Sequence, residues 1–356
     1  MKLATYKDGS RDGHLVVVSR DLRTAHFATG TATRLQQVLD DWNFLSPQLQ
    51  DLTVTLNQGK ARHAFAFEPR QCMAPLPRAG QWASAAVCWS ALAQRHPAHG
   101  QALPAGLDAD PLMAQGASDD FLGPCDNAWF GSAAWGIDFE AGLAAITGDV
   151  GMGASPEQGL DGVRLLMLAN AWALRELATD AWAPGCGGVH SRPAAAFSPV
   201  AVTPDELGDA WQRGRAQLAL QTRWNGREVG LAEAGAGLHA PFGPLIAHLA
   251  KTRNLRAGAI IGAGPAGKPG SGPGYRCIAE QRALEAARDG AASTGFMQLG
   301  DSLRIEMLGR DGQSVFGAID QRVTGPGGPA GPGGPAEPGE HAAQGLVTTA
   351  GNTLAG

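Results

Sequence analysis

The spacing of apolar positions changes along the chain, and each change predicts an element. Leu15–Val18 is a continuous apolar run after the Asp12-Gly13 turn signal, which reads as a strand. Leu35, Val38, Leu39 and Trp42 fall at i, i+3, i+4 and i+7, one face of a helix that Pro47 is expected to stop. Pro156 to Leu168 has Ser155 as N-cap, proline in the first turn and apolar Leu160, Val163, Leu165 and Leu166, so the spacing predicts a helix over 156–168. Thr203 before Pro204-Asp205-Glu206-Leu207 opens another helix, and Leu245, Ile246 and Leu249 place one over 243–253. Leu303-Arg304-Ile305-Glu306-Met307 alternates as a strand. Asp311-Gly312 is a hairpin turn signal, with Ser314–Ile319 expected as the returning strand. Short helices and several antiparallel strands make the fold class α+β.

Composition refines this picture in one respect. Glycine (50) and proline (23) make up 73 of 356 residues, roughly a fifth against about an eighth in an average chain. The excess is concentrated: it fills 12 of 17 positions over 324–340 and 9 of 13 over 262–274. Collagen-like triplets run from Gly325 to Ala336 before Glu337 breaks the period. Four triplets are too few for a triple helix, so a disordered Gly/Pro-rich tail is expected. Hydrophobic residues at 44% exclude a wholly disordered chain.

Charge and cysteines exclude some functions. The formal net charge is -5 and no basic stripe with interleaved aromatics occurs, so nucleic acid is not expected. No run of about 18 apolar residues occurs, so no membrane partner is expected. The five cysteines are scattered without a Cys-x-x-Cys pair, and residues 1–13 lack a signal-peptide core. A reduced, cytoplasmic protein is the expectation.

The short motifs are weak. Gly262-Ala263-Gly264-Pro265-Ala266-Gly267 fits G-x-G-x-x-G, but the Lys268–Gly274 stretch behind it cannot form the helix that a dinucleotide site needs. His96 and His99 flank Pro97 with no third ligand nearby, which favours a solvated loop over zinc. No G-x-S-x-G elbow occurs. Trp129, Trp135, Trp172 and Trp182 read as packing residues, because no cationic groove accompanies them.

Longer segments carry more. Met1–Asp21 (MKLATYKDGSRDGHLVVVSRD), Leu35–Leu45, Pro111–Pro124 (PLMAQGASDDFLGP), Ala196–Gly208, Ile246–Gly258 and Gly309–Gln321 (GRDGQSVFGAIDQ) resemble, in order, a bacterial branch of the fumarylacetoacetate hydrolase family. The resemblance implies a small N-terminal β domain over 1–75, a mixed β-roll over 76–323 and a tail over 324–356. It also implies a homodimer, a role in aromatic catabolism, and hydrolysis of a carbon–carbon bond in β-diketo or acylpyruvate acids. Mg²⁺ or Mn²⁺ (or Ca²⁺) would bind the keto-acid oxygens while a His-based group activates water. A hard cation needs oxygen ligands, and a Glu-x-Glu pair on a strand supplies two on one face.

Carried over residue by residue, that site is largely absent. Ser84 stands at the first metal position and Ala91 at the catalytic His. The Glu-x-Glu pair falls on Glu140 and Gly142, the last metal Asp on Ala171, and the retained Arg is Arg175. Arg192 replaces a Lys, and Pro265 stands at the Thr of the substrate loop. Glu140 is thus the one metal ligand retained. Arg175 and Arg192 are residual site residues that could hold a small keto acid without cleaving it, or could sit in surface ion pairs. The resemblance therefore predicts an inactive or strongly impaired hydrolase, either a pseudoenzyme with a binding or partner role or the product of a decaying gene. The alternative is an active enzyme with substitute ligands drawn from Asp108, Asp110, Asp119, Asp120, Asp126 and Asp138. A third reading gives the Gly/Pro tail a role in association.

Overall fold

A computed structural model describes residues 1–85, 111, 113–178, 189–233, 241–265 and 274–326. Residues 327–356 of the expected Gly/Pro tail, and His96, His99, Trp182, Ala91, Asp108 and Asp110, lie outside the described residues, whereas Thr324 closes the last strand.

The first strands are β1 (Lys2–Tyr6), β2 (His14–Val18), β3 (Thr24–Phe27) and β4 (Phe65–Ala66), followed by β5 (Trp82–Ala85) and β6 (Met113–Gln115). The middle of the chain forms β7 (Ala128–Trp129), β8 (Ile137–Asp138), β9 (Ala141–Thr147), β10 (Val163–Asn170), β11 (Ala173–Leu174), β12 (Ala196–Phe197) and β13 (Ala201–Val202). Then come β14 (Trp211–Gln212), β15 (Arg215–Ala216), β16 (Ala219–Trp224), β17 (Arg227–Glu233), β18 (Ile260–Pro265), β19 (Ser302–Met307) and β20 (Ile319–Thr324). The helices are α1 (Leu35–Asp40), α2 (Trp42–Asn57), α3 (Pro156–Asp161), α4 (Phe242–Leu249) and α5 (Ile278–Asp289).

An eleven-stranded sheet runs β4-β3-β2-β1-β13-β10-β9-β18-β5-β6, with β12 also on β10. The N-terminal strands are continuous with the rest of it, because β1 pairs antiparallel with β13 at Lys2–Val202. A second sheet runs β17-β16-β19-β20-β7. Both faces of the large sheet are buried, and alternate residues divide between them. Leu15 and Val17 pack with Leu35, Val38 and Leu49 of the first two helices. Val16 and Val18 belong to the cluster that includes Leu303, Ile305 and Ile319 of the second sheet. The large sheet is therefore the middle layer, between α1–α2 and the five-stranded sheet. Packing on both faces explains why Leu15–Val18 is uniformly apolar, as the sequence predicts.

Four expectations are corrected. Pro47 lies inside α2, and the break falls at Asp41 (φ -130°, ψ 52°) between α1 and α2. The helix expected over 156–168 ends at Asp161, after a capping box between Ser155 and Gln158, and Val163–Asn170 is a central strand. A run buried on both faces of a sheet has no period of its own, so it also satisfies a helical template. The helix at Pro204 is a 3₁₀ segment over Pro204–Ala210, interrupted at Gly208 (φ 51°, ψ -133°). The partner of β19 is β20, with Ile305 opposite Ile319, so the returning strand starts where Ser314–Ile319 was expected to end.

Candidate functional site

The topology brings three of the carried-over positions to neighbouring strands. Ser84 lies on β5 and pairs in parallel with Gly262 of β18. Gly142 of β9 lies opposite Pro265 of β18 on one side and Ala169 of β10 on the other. Ala171 follows β10 directly, and its N–H donates to Glu140 O at 3.1 Å. Residues 142, 169 and 171 share one face by alternation. A Cβ added at Gly262 would stand 2.8 Å from the Ser84 Cβ and 2.7 Å from the Trp82 ring, so glycine is what lets these strands approach. Gly262, Ala263 and Gly264 lie within β18 and not in a turn before a helix, which removes the dinucleotide reading.

Glu140 is buried beside this face, in the residue before β9, and each of its oxygens is taken by an arginine. Arg175 Nη2 donates to Oε1 at 2.7 Å and Arg192 Nη1 donates to Oε2 at 2.6 Å. Asp138, two residues earlier, accepts from Arg175 Nε at 2.8 Å through Oδ2. The Arg175 fork thus spans both carboxylates, and the group reads Asp138–Arg175–Glu140–Arg192. With both acids ionised its net charge is zero. Sequence spacing contains a signal for the two acids only: Asp138-Phe139-Glu140 is itself an acid-x-acid pair, displaced by one repeat from the expected one. Burial pushes the Glu140 carboxyl up, but the charges of Arg192 and then Arg175 outweigh burial and hold it below the usual carboxylate range. At Asp138 burial wins over Arg175 and two backbone N–H groups, and its carboxyl is pushed up.

Backbone contacts fix the four side chains. Asp138 on β8 pairs with Ala173 on β11, which sets Arg175 just beyond the ladder, and Arg175 N–H donates to Gly136 O at 2.9 Å. Leu174 N–H donates to Ser191 O at 3.0 Å, which ties the segment carrying Arg192 to β11. Asp138 also holds the start of α5: Ile278 N–H reaches Oδ1 at 2.6 Å and Ala279 N–H reaches Oδ2 at 3.0 Å. A carboxylate facing the first N–H groups of a helix satisfies donors with no partner inside the helix.

The sequence reading missed Asn170. This fully buried residue closes β10 and accepts the Glu140 N–H through Oδ1 at 3.0 Å, while its Nδ2 has no partner among the described residues. A polar residue closing an apolar strand run, next to a candidate site position, was the available signal.

Of the substitute carboxylates within the described residues, Asp119, Asp120 and Asp126 lie elsewhere. Asp126 accepts from Lys7 Nζ at 2.7 Å and from Gly123 N–H at 2.8 Å, at the corner after residue 122. Asp119 lines a cleft with Asp12 and Arg78, and Asp120 is its neighbour in the same turn. Among the described substitutes, Asp138 alone joins Glu140, and it does so through Arg175. A divalent metal does not fit this donor set. Ser84 offers a neutral hydroxyl, Gly142 and Ala171 offer nothing, and Glu140 is already neutralised. Among the described residues no group of three or more His, Cys, Asp or Glu could hold a metal ion. The unpartnered atom next to Glu140, Asn170 Nδ2, is a donor, which calls for an oxygen and not a cation.

No helix among the described residues is long and apolar enough to cross a membrane. Cys72 and Cys125 are free thiols.

Two family models match the chain. One, described as fumarylacetoacetase N-terminal domain 2, matches residues 1–78, and the other, described as fumarylacetoacetate (FAA) hydrolase C-terminal, matches residues 85–324. No curated protein matches the sequence significantly. Solved structures of similar fold include a probable 2-hydroxyhepta-2,4-diene-1,7-dioate isomerase from Mycobacterium abscessus, 17% identical, with a TM-score of 0.61 over 91% of this chain and 99% of that one. Another is maleylpyruvate hydrolase from Sphingobium sp. SYK-6 in complex with manganese(II) ion and pyruvate, 16% identical, with a TM-score of 0.60 over 91% and 99%. A third is a fumarylacetoacetate hydrolase from the psychrophilic Exiguobacterium antarcticum, 16% identical, with a TM-score of 0.59 over 91% and 99%.

Proposed function

The chain belongs to the fumarylacetoacetate hydrolase family, and from that premise we propose that it keeps the family scaffold without metal-dependent hydrolysis of a carbon–carbon bond. One observation carries the reading. Glu140, the single carboxylate left at the carried-over ligand positions, has both oxygens bonded to guanidinium groups, at 2.7 and 2.6 Å. Mg²⁺ sheds its water reluctantly and relies on the negative charge of its site, and here the net charge around Glu140 is zero. The Sphingobium relative was solved with manganese and pyruvate, and a centre of that kind would find one engaged carboxylate at the carried-over positions among the described residues. Use of Asp138 as a substitute ligand is disfavoured by its own bonds to Arg175, Ile278 and Ala279.

Thermal unfolding with Mg²⁺ or Mn²⁺, with and without oxalate or pyruvate, tests this directly. The expected result is no metal-dependent rise in Tm and no turnover of an acylpyruvate. A metal-dependent rise together with turnover overturns the proposal. The joint variant Ser84→Asp, Ala91→His, Gly142→Glu and Ala171→Asp is expected to gain metal-dependent stabilisation. If that variant folds and gains none, the positions have been placed wrongly.

A further inference from the structure

A carboxylate flanked by arginines can play either of two roles: a ligand waiting for a cation, or the anion that the arginines require. Three features of the site decide between them. First, cations already surround it: two guanidinium nitrogens lie within 2.7 Å of the Glu140 oxygens, so a divalent ion there would meet two positive charges at contact distance. Second, the donors exceed the acceptors. Glu140 takes one of the five N–H donors of Arg192, no other hydrogen bond of that guanidinium is found among the described residues, and its side chain is only 14% exposed. Asn170 Nδ2 adds a buried donor without an acceptor. Third, the arginines are held independently of Glu140. Asp138 and Gly136 O fix Arg175, and the Leu174–Ser191 bond fixes the segment carrying Arg192.

We infer that Arg175 and Arg192 form a carboxylate clamp whose resident occupant is Glu140, and that the clamp takes a small free carboxylate when the Glu140 side chain is withdrawn. The inference rests on the reading that this site holds no metal, and it assigns Glu140 a different partner. Paired guanidinium groups match carboxylate geometry, which an ammonium at position 192 would do less well. In the native chain a ligand carboxylate must displace Glu140, and its affinity is reduced by that competition.

The test is chemical rescue in the full chain. Glu140→Ala takes from Arg192 its carboxylate partner and from Arg175 one of the carboxylates it bonds, and is expected to lower Tm by about 5 °C or more. Sodium acetate is expected to recover about half of that fall or more, against sodium chloride at equal ionic strength. Mn²⁺ is expected to recover none of it, and acetate to leave the native chain unmoved. Acetate that shifts both proteins equally, or neither, overturns the inference. If Glu140→Ala does not fold, the cycle of Glu140→Gln, Arg192→Gln and the double variant replaces it. The double variant is expected to be more stable than Glu140→Gln alone, because it removes one unpaired cation, and strict additivity overturns the clamp. The outcomes also separate the two proposals: acylpyruvate turnover with Mn²⁺ by the native chain sinks the proposed function, whereas a metal-inert chain whose variant ignores acetate sinks only the clamp.

Discussion

Glu140 and Glu285 are both buried carboxylates held below the usual range, and opposite kinds of partner hold them. At Glu285, on α5, the main causes are the Thr294 hydroxyl and the Thr294 N–H, helped by Gln281 and the Ser293 N–H. Those N–H groups reach Oε2 at 2.8 Å and 2.7 Å, from residues 9 and 8 positions away. At Glu140 the partners are charged side chains 35 and 52 positions away, working against burial. Backbone donors come with the fold whatever residues occupy the loop. Charged side chains can be exchanged one at a time. The 293–294 corner is therefore held partly by backbone groups and partly by uncharged side chains close in sequence, whereas the Glu140 carboxylate is held by charged side chains from distant segments.

The largest effect that would break this contrast is expected at Asp138, where both kinds of partner meet. Asp138→Asn weakens the bond to Arg175 and opposes an amide N–H₂ to one of the α5 donors. It is expected to cost about 3 kcal/mol, near the lower end for removing one partner of a buried pair. Glu285→Gln keeps an acceptor for the backbone N–H groups and is expected to cost about 1–2 kcal/mol. Chemical denaturation of both variants gives the order, and the reverse order would mean that the local corner, not the charge network, is the more demanding of the two.

Acid sharpens the comparison. The carboxyl of Glu285 is depressed, so its native form binds a proton less readily than the unfolded chain, whose carboxylate titrates near about 4.3. Its stabilising contribution is complete above that value and is lost as pH falls toward the depressed native value. The stability difference between the parent and Glu285→Gln is accordingly expected to shrink from pH 5 to pH 3. A difference that stays constant over that window would show that the interaction does not need the ionised form. Asp138 is displaced the other way by burial, so its charge opposes stability at neutral pH and its protonation relieves that cost. Acid therefore draws opposite responses from Glu285 and Asp138.

How much of this was legible in the sequence follows the same division. β2, β19 and the N-cap at Ser155 could be read because each depends on neighbours within a few residues. Val163–Asn170 was misread because burial on both faces erases the period that separates strand from helix. The return strand after Asp311-Gly312 was placed too early, because a turn signal locates a bend without fixing the register. At the site, Ser84, Gly142 and Ala171 are legible as residues without a carboxylate, and the resemblance alone makes them expected ligand positions. The bonds of Glu140 to Arg175 and Arg192 were not legible, because no local pattern links residues 35 and 52 positions apart.

The smallest expected effect is a control for the local extreme of this contrast. Ser155 Oγ accepts the Gln158 N–H at 3.3 Å, and Gln158 Oε1 accepts the Ser155 N–H at 2.8 Å, closing the start of α3 within four residues. Neither of these two bonds involves an ionised group. Ser155→Ala removes the first of them and is expected to cost about 1 kcal/mol, the usual value for an N-cap. The cost should be the same at pH 5 and pH 7 and in low and high salt, because the side chains of this cap have no charge to titrate or screen. Unfolding curves under those four conditions check it. A cost that changes with salt would point to Glu157, whose Oε2 accepts from the Ser155 hydroxyl at 2.8 Å, and would show that even this cap draws on a neighbouring charge.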